Sequence, residues 1–182
     1  DTTTGVGNVA IGSYDAGNDV NAALRLNTVG SFNVAIGSGA LQTANDVEAN
    51  GSIAIGYKAA AAVTAGQFNT AVGHQSFMTE NNGDKNTALG YETLKTLNTP
   101  SGQGANTAVG YKALTLSTLG VSNVAIGSSS GLSILGGQEN IAIGNNALDA
   151  MAGDVDTDTV NNGFRNIAIG VDAMGAVNAG SH

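Results

Sequence analysis

Tyr57, His74, Tyr91 and Tyr111 each follow a glycine (Gly56, Gly73, Gly90, Gly110), at intervals of 17, 17 and 20 residues. If the intervening segments fold alike, the four rings form one column, flanked by Lys58, Gln75, Glu92 and Lys112. Rings on a rigid face can pack against sugar rings while polar neighbours bond hydroxyls, so this column is the candidate glycan face. An aromatic column also stabilises a parallel stack with no ligand at all. A second candidate is Asp154, Asp156 and Asp158, alternate carboxylates that supply hard oxygen ligands for Ca²⁺. That segment lacks the Gly and distal Glu of an EF-hand loop, so it reads first as a solvated acidic loop. No cofactor other than such a Ca²⁺ is expected.

Catalysis has little to build on. The two histidines, His74 and His182, have no Ser-Asp or metal-spaced partner nearby in sequence, and there is no cysteine. Glu48, Glu80, Glu92 and Glu139 fall at unrelated phases of the repeat described below, which argues against the paired carboxylates of a glycosidase. A carbohydrate-cleaving solenoid enzyme is therefore a distant alternative, and a non-enzyme is expected. With 14 acidic against 6 basic residues and a net charge of -8, the chain offers no phosphate-tracking surface, so nucleic acid is not an expected partner. The longest apolar run, 59–63, falls far short of the roughly 20 residues a spanning helix needs, and no membrane insertion is expected. The first residues show neither the basic start nor the apolar core of a secretion signal. Charged residues are 11% where about 25% is usual, while 42% are hydrophobic, mostly small aliphatics evenly spread. That combination implies an ordered repeat.

The repeat is Asn-x-Ala-aliphatic-Gly. Nine copies begin at Asn8, Asn33, Ser52, Asn69, Asn86, Asn106, Asn123, Asn140 and Asn166 and end at Gly12, Gly37, Gly56, Gly73, Gly90, Gly110, Gly127, Gly144 and Gly170. The spacings are 25, 19, 17, 17, 20, 17, 17 and 26, a basic unit of 17 with local insertions, which is a solenoid signature. The second position is always Val, Ile or Thr and the fourth Ile, Val or Leu, so these two share one face of a short strand with Ala on the other. Four residues past the repeat Gly comes Leu41, Phe77, Leu94, Leu114, Leu148 or Met174, with Ala60 and Gly131 as exceptions, which predicts a second short strand per turn. The recurrent Asn reads as an amide ladder rather than a ligand row.

The expectation is all-β: a parallel β-roll or β-solenoid of nine rungs, one array over residues 1–182, with insertions near 13–30, 42–51, 95–105 and 149–163. Nine rungs at about 4.8 Å make a rod roughly 40 Å long. The interior is expected to hold mainly Val, Ile, Leu and Ala, and so thin a rod still leaves an apolar outer column, which copies arranged about a parallel axis would bury. A homotrimer is the expected assembly.

Residues 106–114 (Asn-Thr-Ala-Val-Gly-Tyr-Lys-Ala-Leu) and 86–94 (Asn-Thr-Ala-Leu-Gly-Tyr-Glu-Thr-Leu), with the Val-Ala-Ile-Gly copies, resemble the head repeats of trimeric autotransporter adhesins, the YadA-like left-handed parallel β-roll. More closely they resemble the related repeats of bacteriophage tail fibres, since the adhesin heads use a shorter unit. The resemblance covers nearly the whole chain. It implies an extracellular, trimeric fibre segment of a virion tail that grips a host receptor, with an adhesin head on the bacterial outer surface as the alternative. A fourth reading, ice binding, has only Thr70, Thr87 and Thr107 in register.

Overall fold

A computed structural model describes residues 5–12, 22–80, 82–100, 102–150 and 163–175. Asp154, Asp156, Asp158 and His182, half of the first insertion and most of the last lie outside them. The described residues contain no helix and nine strands of three residues each: β1 (Val9–Ile11), β2 (Val34–Ile36), β3 (Ile53–Ile55), β4 (Thr70–Val72), β5 (Thr87–Leu89), β6 (Thr107–Val109), β7 (Val124–Ile126), β8 (Ile141–Ile143) and β9 (Ile167–Ile169). They pair in chain order, all parallel, with every Ala opposite the next Ala. The fold is the expected parallel β-solenoid.

Each strand stops at its repeat glycine. From Gly37 to Gly170 this residue holds φ between +122° and +136°, a region open only to glycine at ordinary cost. Space excludes a side chain as firmly as the torsion does: a Cβ on Gly37 would sit 2.6 Å from the Gly56 carbonyl oxygen, and one on Gly90 would overlap that of Gly110. Register is therefore locked at this corner.

The second strand is not there. Leu41, Phe77, Leu94, Leu114, Leu148 and Met174 hold φ of +44° to +55°, and Lys58, Gln75, Glu92 and Lys112, two residues upstream of that column, hold +52° to +55°. Left-handed residues at alternate positions coil the segment and send its N–H groups to both neighbouring turns. Lys58 N–H donates to the Ser38 carbonyl on one side and Ala60 N–H to that of Ser76 on the other, each at 2.9 Å. The backbone is thus hydrogen-bonded along the stack without an extended strand.

Alternation decides what lies inside. The strand alanines, Ala35 through Ala168, are buried, and Leu41, Phe77, Leu94, Leu114 and Leu148 close the core from the coiled side. The aliphatic residues at the second and fourth positions point outward instead: Ile55 is 37% exposed, Leu89 45% and Ile169 67%. The strand Val and Ile, expected to share the interior, thus form the outer wall. Where Gly131 replaces the core leucine, Leu114 Cδ2 and Ile134 Cδ1 occupy the space its side chain would fill. Glu80 sits in the column of Val63, Leu97 and Ile134, fully buried, and accepts bonds from the Asn82, Gly83 and Thr99 N–H groups at 2.9–3.0 Å and the Thr99 hydroxyl at 3.1 Å. It anchors the 95–105 insertion to the preceding turn.

The Asn column is an amide ladder, as expected. Between Asn69 and Asn166 each side-chain Oδ1 accepts the next Asn backbone N–H at 2.9–3.0 Å and its Nδ2–H at 2.9–3.2 Å. The Nδ2 of Asn69, Asn106, Asn123 and Asn140 also donates to the carbonyl of Gly83, Gly120, Gly137 and Gly163 at 2.7–2.8 Å. Ser52 interrupts the ladder: its Oγ accepts the Asn69 N–H at 3.1 Å, but it has no side-chain amide to donate back to Asn33 Oδ1.

Two outcomes follow for urea unfolding of purified protein. Gly90→Ala combines a disallowed torsion with backbone overlap and costs about 2–5 kcal/mol. Ser52→Asn completes the ladder and adds about 1 kcal/mol; an unchanged or lowered midpoint contradicts the ladder as a source of stability.

Candidate functional site

The residue after the repeat glycine leaves the strand on its solvent side. On the turns of β3 to β6 this residue is Tyr57, His74, Tyr91 and Tyr111, and the four rings form one stack. Centroids are 5.2, 5.3 and 5.3 Å apart and the planes meet at 29°, 12° and 9°. Backbone bonds hold the column in step: Gln75 N–H donates to the Tyr57 carbonyl, Glu92 N–H to that of His74 and Lys112 N–H to that of Tyr91, at 2.8–3.0 Å. All four sequence-predicted glycan-face residues are therefore brought together.

Their geometry changes what they can do. Each inner ring has its faces turned to its neighbours, so a sugar has no open face to lie on there. The tyrosines remain 41–51% exposed, and where both faces of a ring are covered by its neighbours that exposure falls on ring edge and polar tip. The strip thus presents hydrogen-bonding groups and charge rather than open ring faces.

The charge is on the next column. Lys58 Nζ stands 5.4 Å from the Tyr57 ring centre and Lys112 Nζ 5.3 Å from that of Tyr111, within cation–π range. Between them Glu92 Oε1 pairs with Lys95 Nζ at 2.6 Å and Oε2 lies 3.7 Å from Lys112 Nζ. The hydrogen bond from Lys95 holds the Glu92 carboxyl below its ordinary range; burial opposes this, while the Lys95 and Lys112 charges and the Tyr91 hydroxyl reinforce it. The Lys112 ammonium is held above its usual range, first by the Tyr111 phenol oxygen and then by Glu92. The strip is a short polar rail of ordered side chains.

The acids weighed for catalysis are otherwise engaged or apart. Glu80 is bonded inside the core, Glu92 is on the rail, and Glu139 pairs with Arg165 at 2.7 Å on an exposed surface. Glu48 is exposed on the loop before β3. Among the described residues no group of three metal-ligating side chains comes together, and the Asp154, Asp156 and Asp158 candidate lies outside them.

One pair of residues went unnoticed in the sequence. Phe32 and Phe68 each directly precede a repeat Asn (Asn33 and Asn69), both at positive φ, and are 66% and 55% exposed. Each ring rests where a side chain on the previous turn would be, over Gly7 and Gly51. The alternation Gly7, Phe32, Gly51, Phe68 in that column was the available signal.

No family model, curated protein or solved structure matches this chain.

The Glu92 carboxyl titrates below its ordinary 4.5. Because that pKa is depressed by native contacts, the stability it contributes is present above about pH 4.5 and is lost as pH falls through the folded value. A ¹³C titration of the Glu92 carboxyl should show a midpoint under 4.5, and Lys95→Met should move it upward. A midpoint at or above 4.5 in the unsubstituted protein contradicts the pairing.

Proposed function

We infer that this chain is a structural and host-attachment segment of a homotrimeric phage tail fibre, working outside the cell and without catalysis. The observation that carries the reading is the outer wall of the strands. Val, Ile, Leu and Thr side chains of β1 to β9 line up along the rod, with Val9, Ile53, Ile126 and Ile167 between 39% and 62% exposed. An apolar column of this length, parallel to the long axis, suits burial against the same column of other copies. A solenoid whose turns are fixed in register and whose long axis is shared by three copies is a stiff spacer. The repeat motifs, which resemble tail-fibre repeats, supply the biological setting.

The aromatic strip and the loops are then the surfaces left for a receptor. Loops projecting from a solenoid and rows of ordered side chains are where such scaffolds carry their contacts. A surface glycan fits the rail better than a protein partner does, because the strip offers phenol tips and ammonium groups rather than an apolar anchor point.

Fluorescently labelled protein incubated with a panel of Gram-negative and Gram-positive cells is expected to bind at least one strain saturably, with loss of binding once surface polysaccharide is stripped. Replacing Tyr57, Tyr91 and Tyr111 together by Phe keeps the stack and removes the hydroxyls, and should weaken that binding by about tenfold. Absence of binding across the panel contradicts the attachment reading.

A further inference from the structure

The chain is acidic overall, yet its charge is unevenly placed. Of its six basic residues, Lys58, Lys95 and Lys112 border the aromatic strip, and the one carboxylate among them, Glu92, is already paired with Lys95. In the column that carries Lys58 and Lys112 the intervening turns hold Gln75 and Glu92, the two beyond hold Ser129 and Asn146, and the next acid is Asp172 on the turn of β9. Three turns at about 4.8 Å put Asp172 roughly 14 Å from Lys112, beyond the Debye length of about 8 Å at physiological salt. Locally, the strip is cationic.

Its polar groups also repeat at a fixed step. Ring centres advance 5.2–5.3 Å per turn, a length comparable with one pyranose in an extended chain. Between Lys58 and Lys112 lie the phenol tips of Tyr57, Tyr91 and Tyr111 and the His74 imidazole, with their ring faces turned to one another. A ligand that needs open ring faces is poorly served. One with anionic groups along an extended backbone meets an ammonium at each end of the strip and hydrogen-bonding tips between.

We propose that the strip spanning the turns of β3 to β6 binds a carboxylate-bearing polysaccharide lying along the rod, with Lys58 and Lys112 taking carboxylates and the tyrosine hydroxyls bonding the sugar hydroxyls. The assignment rests on the attachment reading of this same surface and names its ligand class. Lys112 is shared with Glu92 at 3.7 Å, a separation that a carboxylate of the ligand can replace or bridge.

The test uses an oligogalacturonate of eight to ten sugars, of the order needed to cover four turns at about 4.8 Å each with room at both ends, and its fully methyl-esterified form as the neutral match. Isothermal titration of the whole chain should show binding of the acid form, at least about tenfold weaker binding of the ester, and weakening as salt rises. The Lys58→Gln/Lys112→Gln double variant should lose about tenfold, whereas Lys85→Gln, on a different column, should leave binding unchanged. Equal binding of acid and ester overturns the carboxylate assignment while leaving a glycan-binding face in place. An equal loss in Lys85→Gln overturns it as well, since any positive charge would then serve. If neither form binds but labelled protein still adsorbs to cells, the polysaccharide assignment falls and the attachment reading stands; if neither form binds and no cell is bound, both fall.

Discussion

Successive turns approach each other at the repeat glycine too closely to admit a side chain, and the rest of the molecule is arranged around that contact. A Cβ there has nowhere to go: the neighbouring glycine carbonyl is already in its place, and the torsion is one that side chains avoid. Once consecutive turns are pinned at this corner, every other position is pinned to a column. The Asn ladder acts just upstream, where each amide bonds both the backbone and the side chain of the next turn. Steric exclusion at one end of the strand and directional bonding at the other leave a strand of three residues no freedom to slip.

Columns make the energetics cumulative and the surface repetitive. A core of alanine on one wall and leucine on the other is thin, and much of the apolar content ends up outside. That outcome is a property of alternation: with Ala turned inward, the residues on either side must turn out. The same register gathers tyrosine, histidine and lysine, scattered over some fifty residues of sequence, into one ordered strip. The fully buried carboxylate of Glu80 fits an aliphatic column because the insertion at 95–105 folds back and supplies Thr99 as donor.

Much of this was legible in advance, and the exceptions share a cause. The nine strands, their register, the Asn ladder and the aromatic column follow from the spacing of Asn, Ala and Gly, because a solenoid turns equal spacing into spatial adjacency. The coiled segment was read as a strand because a small residue followed by Leu or Phe looks the same whether the chain is extended or alternates through left-handed torsions. Leu94 and Phe77 are poor residues for φ near +50°, so propensity gave no warning; burial of the side chain and bonds to both neighbouring turns outweigh the local cost. Hydrophobicity alone assigns Val and Ile to the interior, whereas the width of the core decides for Ala. Spacing places the rings in one column, but a sequence cannot say that rings one turn apart will face each other, a detail that covers the inner ring faces and leaves polar groups outward. Phe32 and Phe68 escaped notice because only two copies of the repeat carry them.

The proposed fibre requires that the outer wall of the strands be covered by other copies of the chain. Light scattering coupled to size-exclusion chromatography measures this directly, on the native chain and on an Ile55→Lys/Val72→Lys/Leu89→Lys variant in which three adjacent outward positions carry charge. A molar mass of about three chains for the native protein, falling toward one in the variant, is the predicted result. A native protein that runs as a stable monomer over a wide concentration range would contradict the shared axis, and with it the fibre built upon it.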